Sequence, residues 1–419
     1  MSYQALNYYG GITNPIIPVR YNKVDYALIY AFDVEAEADS TYKERRNFLL
    51  INVVTGEVTP ISFSTPLEGR HIYHKLVDFN LRGSKVVARF LGGDKYNTPY
   101  NIRLLEIEVD LSALSASWSE LWKIDANADA DINGKCVESI ALSNRFLLVT
   151  ESDKPYLWFI DAKDGSVIDK FDTGFSSYNP RCSDKLVAKP DDVYMLLGRH
   201  YSGDDFRVLK VYSKSITSIS NSAPDGDSPN PIVGNYFVTE KEMLFPATGM
   251  TVVDSSPPVR WFDWDFNLVG TTDLTSIYAN AHVEGLCVIG KDDADNLVVL
   301  AQIADNHTSN MTKTSTRILK IAPDFTIAED ILLKEFTDLD NAIWWLPRIH
   351  GSCRYVLPII DKDKKKIYVH GAGKDGGLYS SYWITVDISD ITIKEWNIYN
   401  YYLQAIKKPT QLTLEVIPL

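Results

Sequence analysis

Short apolar runs alternate with polar, turn-forming breaks along the whole chain, and no stretch keeps a long helical period. The pattern is clearest from Tyr156 to Asp172: Tyr-Leu-Trp-Phe-Ile-Asp, then Ala-Lys-Asp-Gly, then Ser-Val-Ile-Asp-Lys-Phe-Asp. Two apolar runs around Asp164-Gly165 predict a β-hairpin. Related units turn near Gly56, Ala113, Lys214, Phe266, Asp324 and Ser389. These turns recur roughly 50 to 65 residues apart, the spacing of a repeat that holds several short strands. Ahead of each hairpin stands another pair of runs, as at 137–142 with 145–150 and at 286–289 with 297–303. Each unit therefore reads as four strands, called a, b, c and d.

Seven such units predict an all-β fold, a seven-bladed β-propeller of four-stranded antiparallel blades. It would occupy residues 1–400 and leave 401–419 as an extension. That extension alternates through Leu412-Thr-Leu-Glu-Val-Ile, so it is expected to close the ring or to pair with another subunit. Two β-sandwiches are the alternative, but they would not explain the regular spacing. The unit Phe159-Ile-Asp-Ala-Lys-Asp-Gly-Ser-Val-Ile-Asp-Lys-Phe resembles a blade of the quinoprotein-like (PQQ-type, WD40-like) propellers. That family places a Trp four residues after the turn glycine, whereas Asp169 stands there in this chain. The resemblance therefore implies a fold without the family's tryptophan girdle, and no quinone chemistry.

Composition narrows the function classes. The chain is 45% hydrophobic and 12% aromatic, enough for a large core. A net charge of −13 argues against a nucleic-acid partner, because phosphate binding needs a basic surface. Four cysteines in 419 residues exclude a disulfide scaffold. No basic, apolar leader follows Met1 and no window holds 18 apolar residues, so neither a signal peptide nor a membrane span is expected. Those ends suit a cytoplasmic protein or a component of a virus particle.

The b–c and d–a connections are the long ones, among them 34–46, 92–101, 304–316, 371–381 and 337–352. Long loops on a rigid scaffold usually carry function, so this face is expected to be the working one. Trp344, Trp345 and Arg348 lie in a d–a connection and form a candidate partner-binding surface, although packing would equally occupy the tryptophans. Asp129, Asp131, Asn133 and Gly134 follow the first half of a calcium loop, but Ile140 stands where its bidentate Glu belongs. Cys136, Cys182, Cys287 and Cys353 each fall near the start of a strand a, a position where small residues are favoured. Without a Cys-x-x-Cys pair a thiolate metal site is not expected, nor is any other cofactor. The leading expectation is a non-enzymatic interaction platform, structural or attachment-related, that binds a protein or glycan. The alternative is a propeller hydrolase or lyase acting on a sugar or lactone, with His74, Glu138, Asp184 and Glu284 as its candidate groups.

Overall fold

A computed structural model describes residues 1–9, 16–36, 42–65, 72–94, 101–125, 135–142, 145–151, 156–172, 180–188, 193–199, 206–210, 213–219, 228–230, 237–239, 242–250, 256–263, 265, 267–306, 310–338, 343–344, 359–375, 378–397 and 401–402. All regular structure among them is β. After β1 (Ser2–Tyr9) come β2 (Ile16–Tyr21), β3 (Val24–Ala36), β4 (Tyr42–Asn52) and β5 (Val58–Phe63). The next meander is β6 (Ile72–Arg82), β7 (Lys85–Asp94), β8 (Asn101–Asp110) and β9 (Ser115–Asp125). Then follow β10 (Lys135–Leu142), β11 (Arg145–Glu151), β12 (Tyr156–Asp161) and β13 (Val167–Asp172). After these stand β14 (Pro180–Ala188), β15 (Val193–Arg199), β16 (Phe206–Lys210) and β17 (Ser215–Ile219). Another sheet holds β18 (Ser228–Asn230), β19 (Phe237–Val238), β20 (Met243–Met250), β21 (Val259–Phe262) and β22 (Leu268–Thr272). Then come β23 (His282–Lys291), β24 (Leu297–Ala304), β25 (Thr314–Ile321) and β26 (Ile327–Phe336). The last strands are β27 (Ile343–Trp344), β28 (Ile359–Asp361), β29 (Lys366–Asp375), β30 (Leu378–Asp387), β31 (Glu395–Trp396) and β32 (Tyr401–Tyr402).

Within β2–β5, β6–β9, β10–β13, β14–β17 and β23–β26, consecutive strands pair in order; after β17, β20 takes both β18 and β19 as partners, and β27 pairs with β29. β2–β5 and β6–β9 merge into one eight-stranded sheet through a short parallel pairing of β5 with β9. Contacts group the chain into two compact units, one mainly Leu6–Met195 and the other mainly Thr217–Tyr402. In the first, Tyr30, Phe48, Phe63 and Phe90 form a buried aromatic cluster between the two meanders. In the second, every residue of β24 is buried, as a strand covered on both faces requires.

The c–d turns repeat one design. Asn52, Asp161 and Asp263 each donate a backbone N–H to a carbonyl four or five residues on, and each side chain accepts an N–H of its own turn. The chain takes a positive φ at Gly56 (74°), Leu114 (51°), Gly165 (76°), Lys214 (52°) and Phe325 (67°). Just past this turn Ile168, Val269 and Ala328 are each the extra residue of a β-bulge. One recurring turn and one recurring bulge are what repeated units look like in backbone geometry.

Neighbouring meanders are latched at these turns. Trp122 donates from Nε1 to the Ala162 carbonyl at 2.9 Å, and its ring lies where a Cβ on Gly165 would be, 2.8 Å away. A tryptophan latch is therefore present here despite Asp169; it comes from the preceding meander. A second latch runs the other way: Phe325, in the β25–β26 turn, lies over Gly270 and Trp261 of the preceding sheet. Lys214 pairs with Asp169 and lies over the Phe159 ring.

Two connections expected to be long loops, 34–46 and 371–381, are largely paired strand, and a third, 92–101, begins as strand. The β3–β4 ladder runs out to Ala36 opposite Tyr42, β7 reaches Asp94, and β29–β30 pair up to Asp375 opposite Leu378. Apolar alternation reports burial, not pairing, so it fades where a hairpin projects past its sheet. The β3–β4 extension is patterned by charge instead, with Asp33 opposite Arg45 and Glu35 opposite Lys43.

The β2–β3 turn puts two side-chain-bearing residues at positive φ, Asn22 (50°) and Lys23 (65°). Asparagine tolerates that region and lysine does not. Lys23→Gly is therefore expected to stabilise the chain by about 0.5 to 1 kcal/mol. The check is a urea midpoint that rises with an unchanged slope.

Candidate functional site

The end of the β23–β26 sheet is the best-defined stretch of the predicted working face. His282 pairs with Ala304, Ala304 with Thr314, and Thr314 with Phe336, so these four form one row. The d–a segment 273–281 enters at this row and the b–c connection 305–313 leaves from it. Glu284 is the extra residue of a bulge, because Val283 pairs with Ile303 and Gly285 with Gln302. Bulges re-aim side chains, and this one brings Glu284 Oε1 to 3.3 Å from His282 Nδ1. The pair is nearly buried, with the His282 side chain 14% and the Glu284 side chain 3% exposed.

Toward the outer strands the polar groups interlock. Tyr278 donates its hydroxyl to Glu335 at 2.7 Å. Lys313 lies 3.5 Å from the same carboxylate and 4.7 Å over the Tyr278 ring. Arg317 stands 5.4 Å from that ring, donates from Nε to Ser315 at 2.8 Å and pairs with Asp330. The Tyr278 hydrogen bond, ahead of the opposing effect of burial, holds the Glu335 carboxyl below its ordinary range, and Lys313 and Arg317 add to it.

Asp305 fixes the b–c connection by accepting from the Thr312 hydroxyl and from the N–H groups of Thr312 and Lys313. Burial pushes its carboxyl up, but these bonds together outweigh burial and hold it below the usual range. A depressed folded value means stability that is present above the unfolded value of about 3.9 and is lost as pH falls through the folded one. Asp305→Asn is expected to cost about 1 kcal/mol at pH 7. Urea unfolding at pH 7 and pH 3 should show the gap to wild type closing in acid; a gap that stays constant would assign the loss to something other than the charge.

The imidazole of His282 and the carboxyl of Glu284 are groups that can donate and accept hydrogen bonds. Among the described residues, no group of three or more His, Cys, Asp or Glu is placed to hold a metal. Cys287 stands sixth of ten in β23, mid-strand, inside an apolar cluster with Ile289, Val298 and Leu300. Cys136 and Cys182 lie near the starts of β10 and β14, and Cys353 is outside the described residues. Also outside them are Asp129, Asp131 and Asn133 of the calcium-like loop, as well as Trp345 and Arg348. Trp344 is on β27, a strand paired with β29 opposite Ala372. His74, Glu138 and Asp184 lie on β6, β10 and β14. Of the four residues named for the enzyme alternative, Glu284 is the one whose surroundings are described, and its partner His282 was missed. His-Val-Glu carries only part of the signal, because the bulge and not regular alternation sets where Glu284 points. It went unread because the strand was expected to begin at Leu286.

No family model matches the chain, and no curated protein matches it. Solved structures do. Ulvan lyase, a polysaccharide lyase bound to -[GlcA(1-4)Rha3S]-, is similar over 93% of this chain and 98% of its own, at 10% identity and a TM-score of 0.50. Sqt1 from Saccharomyces cerevisiae matches over 92% and 100%, at 13% identity and 0.44. The β-propeller domain of the trilobed protease from Pyrococcus furiosus matches over 90% and 96%, at 10% identity and 0.40. At such identities likeness speaks to fold alone. Four-stranded antiparallel meanders, consecutive in the chain and latched turn to strand, decide which fold it is. The fold is a β-propeller. Among the described residues, no helix of this propeller is long and apolar enough to cross a membrane.

Proposed function

We propose that this propeller is a non-enzymatic interaction platform of seven blades, binding a protein or glycan partner through the b–c/d–a ends of its sheets. The observation that carries the reading is the tethered end of the β23–β26 sheet. Neutral surface insertions need only be polar, yet here two separate connections are fixed by side-chain bonds through Tyr278, Glu335, Lys313, Asp305 and Thr312. Fixed polar loops on strand ends are the usual build of a recognition surface. The β3–β4 and β29–β30 hairpins each extend the b–c end of their own sheet. Trp344, Trp345 and Arg348 are the proposed partner-binding residues of the neighbouring d–a connection. A platform of this kind suits either a cytoplasmic scaffold or a virion component.

Site-specific photo-crosslinkers test this. Placed at Lys313 and at position 345, they should capture the same partner from the native source. Placed at Lys163, in a c–d turn, a crosslinker should not. Equal capture from all three positions, or none from the first two, would overturn the proposal.

One observation favours a second reading, an enzyme acting on a sugar or lactone: the nearly buried His282–Glu284 pair on the first strand of its sheet. Turnover of a saccharide or lactone panel that Glu284→Gln abolishes would establish it.

A further inference from the structure

The place beside β30 is taken by β1, not by the chain that follows β30. That chain bends at Ile388–Ile391 and crosses to the sheet before it. There Glu395 and Trp396 of β31 pair with Lys291 and Gly290 along the open side of β23. Asn397 is fully buried; its N–H donates to the Ile289 carbonyl and its Nδ2 to the Val288 carbonyl, 3.0 and 2.9 Å away. The Lys394 N–H donates to the Lys291 carbonyl. β32 then lies parallel to β28, with Tyr401 opposite Ile359.

The lysine-rich turn before β29 also grips this segment. Lys365 donates to the Ile391 carbonyl at 3.2 Å, and Lys362 lies 5.4 Å from the Trp396 ring centre. Ile391 and Ile393 enter a single apolar cluster with Ile289 and Ile318 of the β23–β26 sheet and with Ile367 and Ile384 of the β28–β30 sheet. The segment thus does two things that a fourth strand beside β30 would not do. It satisfies carbonyls on the open side of β23, and it lends side chains to a core that both sheets share.

We propose that residues 391–397 are a strap, bound to β23 in the manner of an extended peptide, which makes the β23–β26 and β28–β30 sheets one cooperative unit. Native-state hydrogen exchange on the full chain tests it. In the wild type, the Lys394 and Asn397 amides should be protected to within about tenfold of the β24 and β25 amides, since all would open together. Asn397→Ala should then lower protection in both sheets by one common factor, tenfold or more. Strap amides that exchange orders of magnitude faster than the sheets in wild type would overturn the proposal, as would a variant in which the strap amides alone speed up. Should Asn397→Ala not fold, the wild-type comparison still decides it.

Discussion

Trp261→Ala is expected to destabilise the Thr217–Tyr402 unit by about 4 kcal/mol, at the upper end of what emptying a core site costs. Trp261 is fully buried, and three interactions depend on it. Its Nε1 donates to Thr272 Oγ1 at 2.9 Å, and that hydroxyl donates onward to the Phe325 carbonyl at 2.8 Å. Its ring stacks on Phe325 at 6.1 Å. Phe325 is itself strained, because a bulky side chain at a φ of 67° persists only where packing over-determines it. Removing the indole opens a cavity and takes away the support that holds Phe325 over Gly270. Trp261→Phe should recover most of the loss, since it refills the volume and gives up chiefly the hydrogen bond to Thr272. Denaturant unfolding followed by a probe within that unit is the measurement. A loss below about 1.5 kcal/mol for the alanine variant would show that the latch carries little of the stability.

The turns of this fold were legible in the sequence because their chemistry is local. Turns read near 56, 113, 165, 214 and 324 coincide, within a residue, with positive φ at Gly56, Leu114, Gly165, Lys214 and Phe325. Gly56 and Gly165 adopt it freely, and Asn52, Asp110, Asp161 and Asp324 accept turn N–H groups beside four of the five. Pairing partners were not legible. Alternation marks 2–9 and 395–396 as extended at most; it does not say that one segment borders β30 and the other β23, since many strands would accept either. The candidate site was half legible for the same reason. Glu284 was identifiable as a carboxylate near a first strand, but its meeting with His282 depends on a bulge, and a bulge is settled by the opposite strand as much as by its own residues.

Gly290→Ala should be as damaging as the loss of Trp261, for an opposite reason: it adds an atom. A Cβ at Gly290 would stand 2.3 Å from the Glu395 carbonyl oxygen, 2.8 Å from Ile393 Cγ2 and 3.2 Å from the Trp396 Cα. Two of these are backbone, so no rotamer change relieves the clash and the 391–397 segment must move off β23. Moving it would uncover Ile391 and Ile393 and leave the Val288 and Ile289 carbonyls to water, a combined cost of about 4 kcal/mol or more. Gly83→Ala is the matched control. Gly83 has a φ of 63°, and a methyl added there would meet nothing within 4 Å, so it should lose only the conformational part, about 1 kcal/mol. Gly290 has no positive φ to complicate the comparison. If thermal or urea unfolding placed the two alanine variants within about 1 kcal/mol of each other, close approach of the strap backbone could not be the reason position 290 is glycine. A gap of about 3 kcal/mol, with lost protection at Lys394 and Asn397, would make that approach the reason.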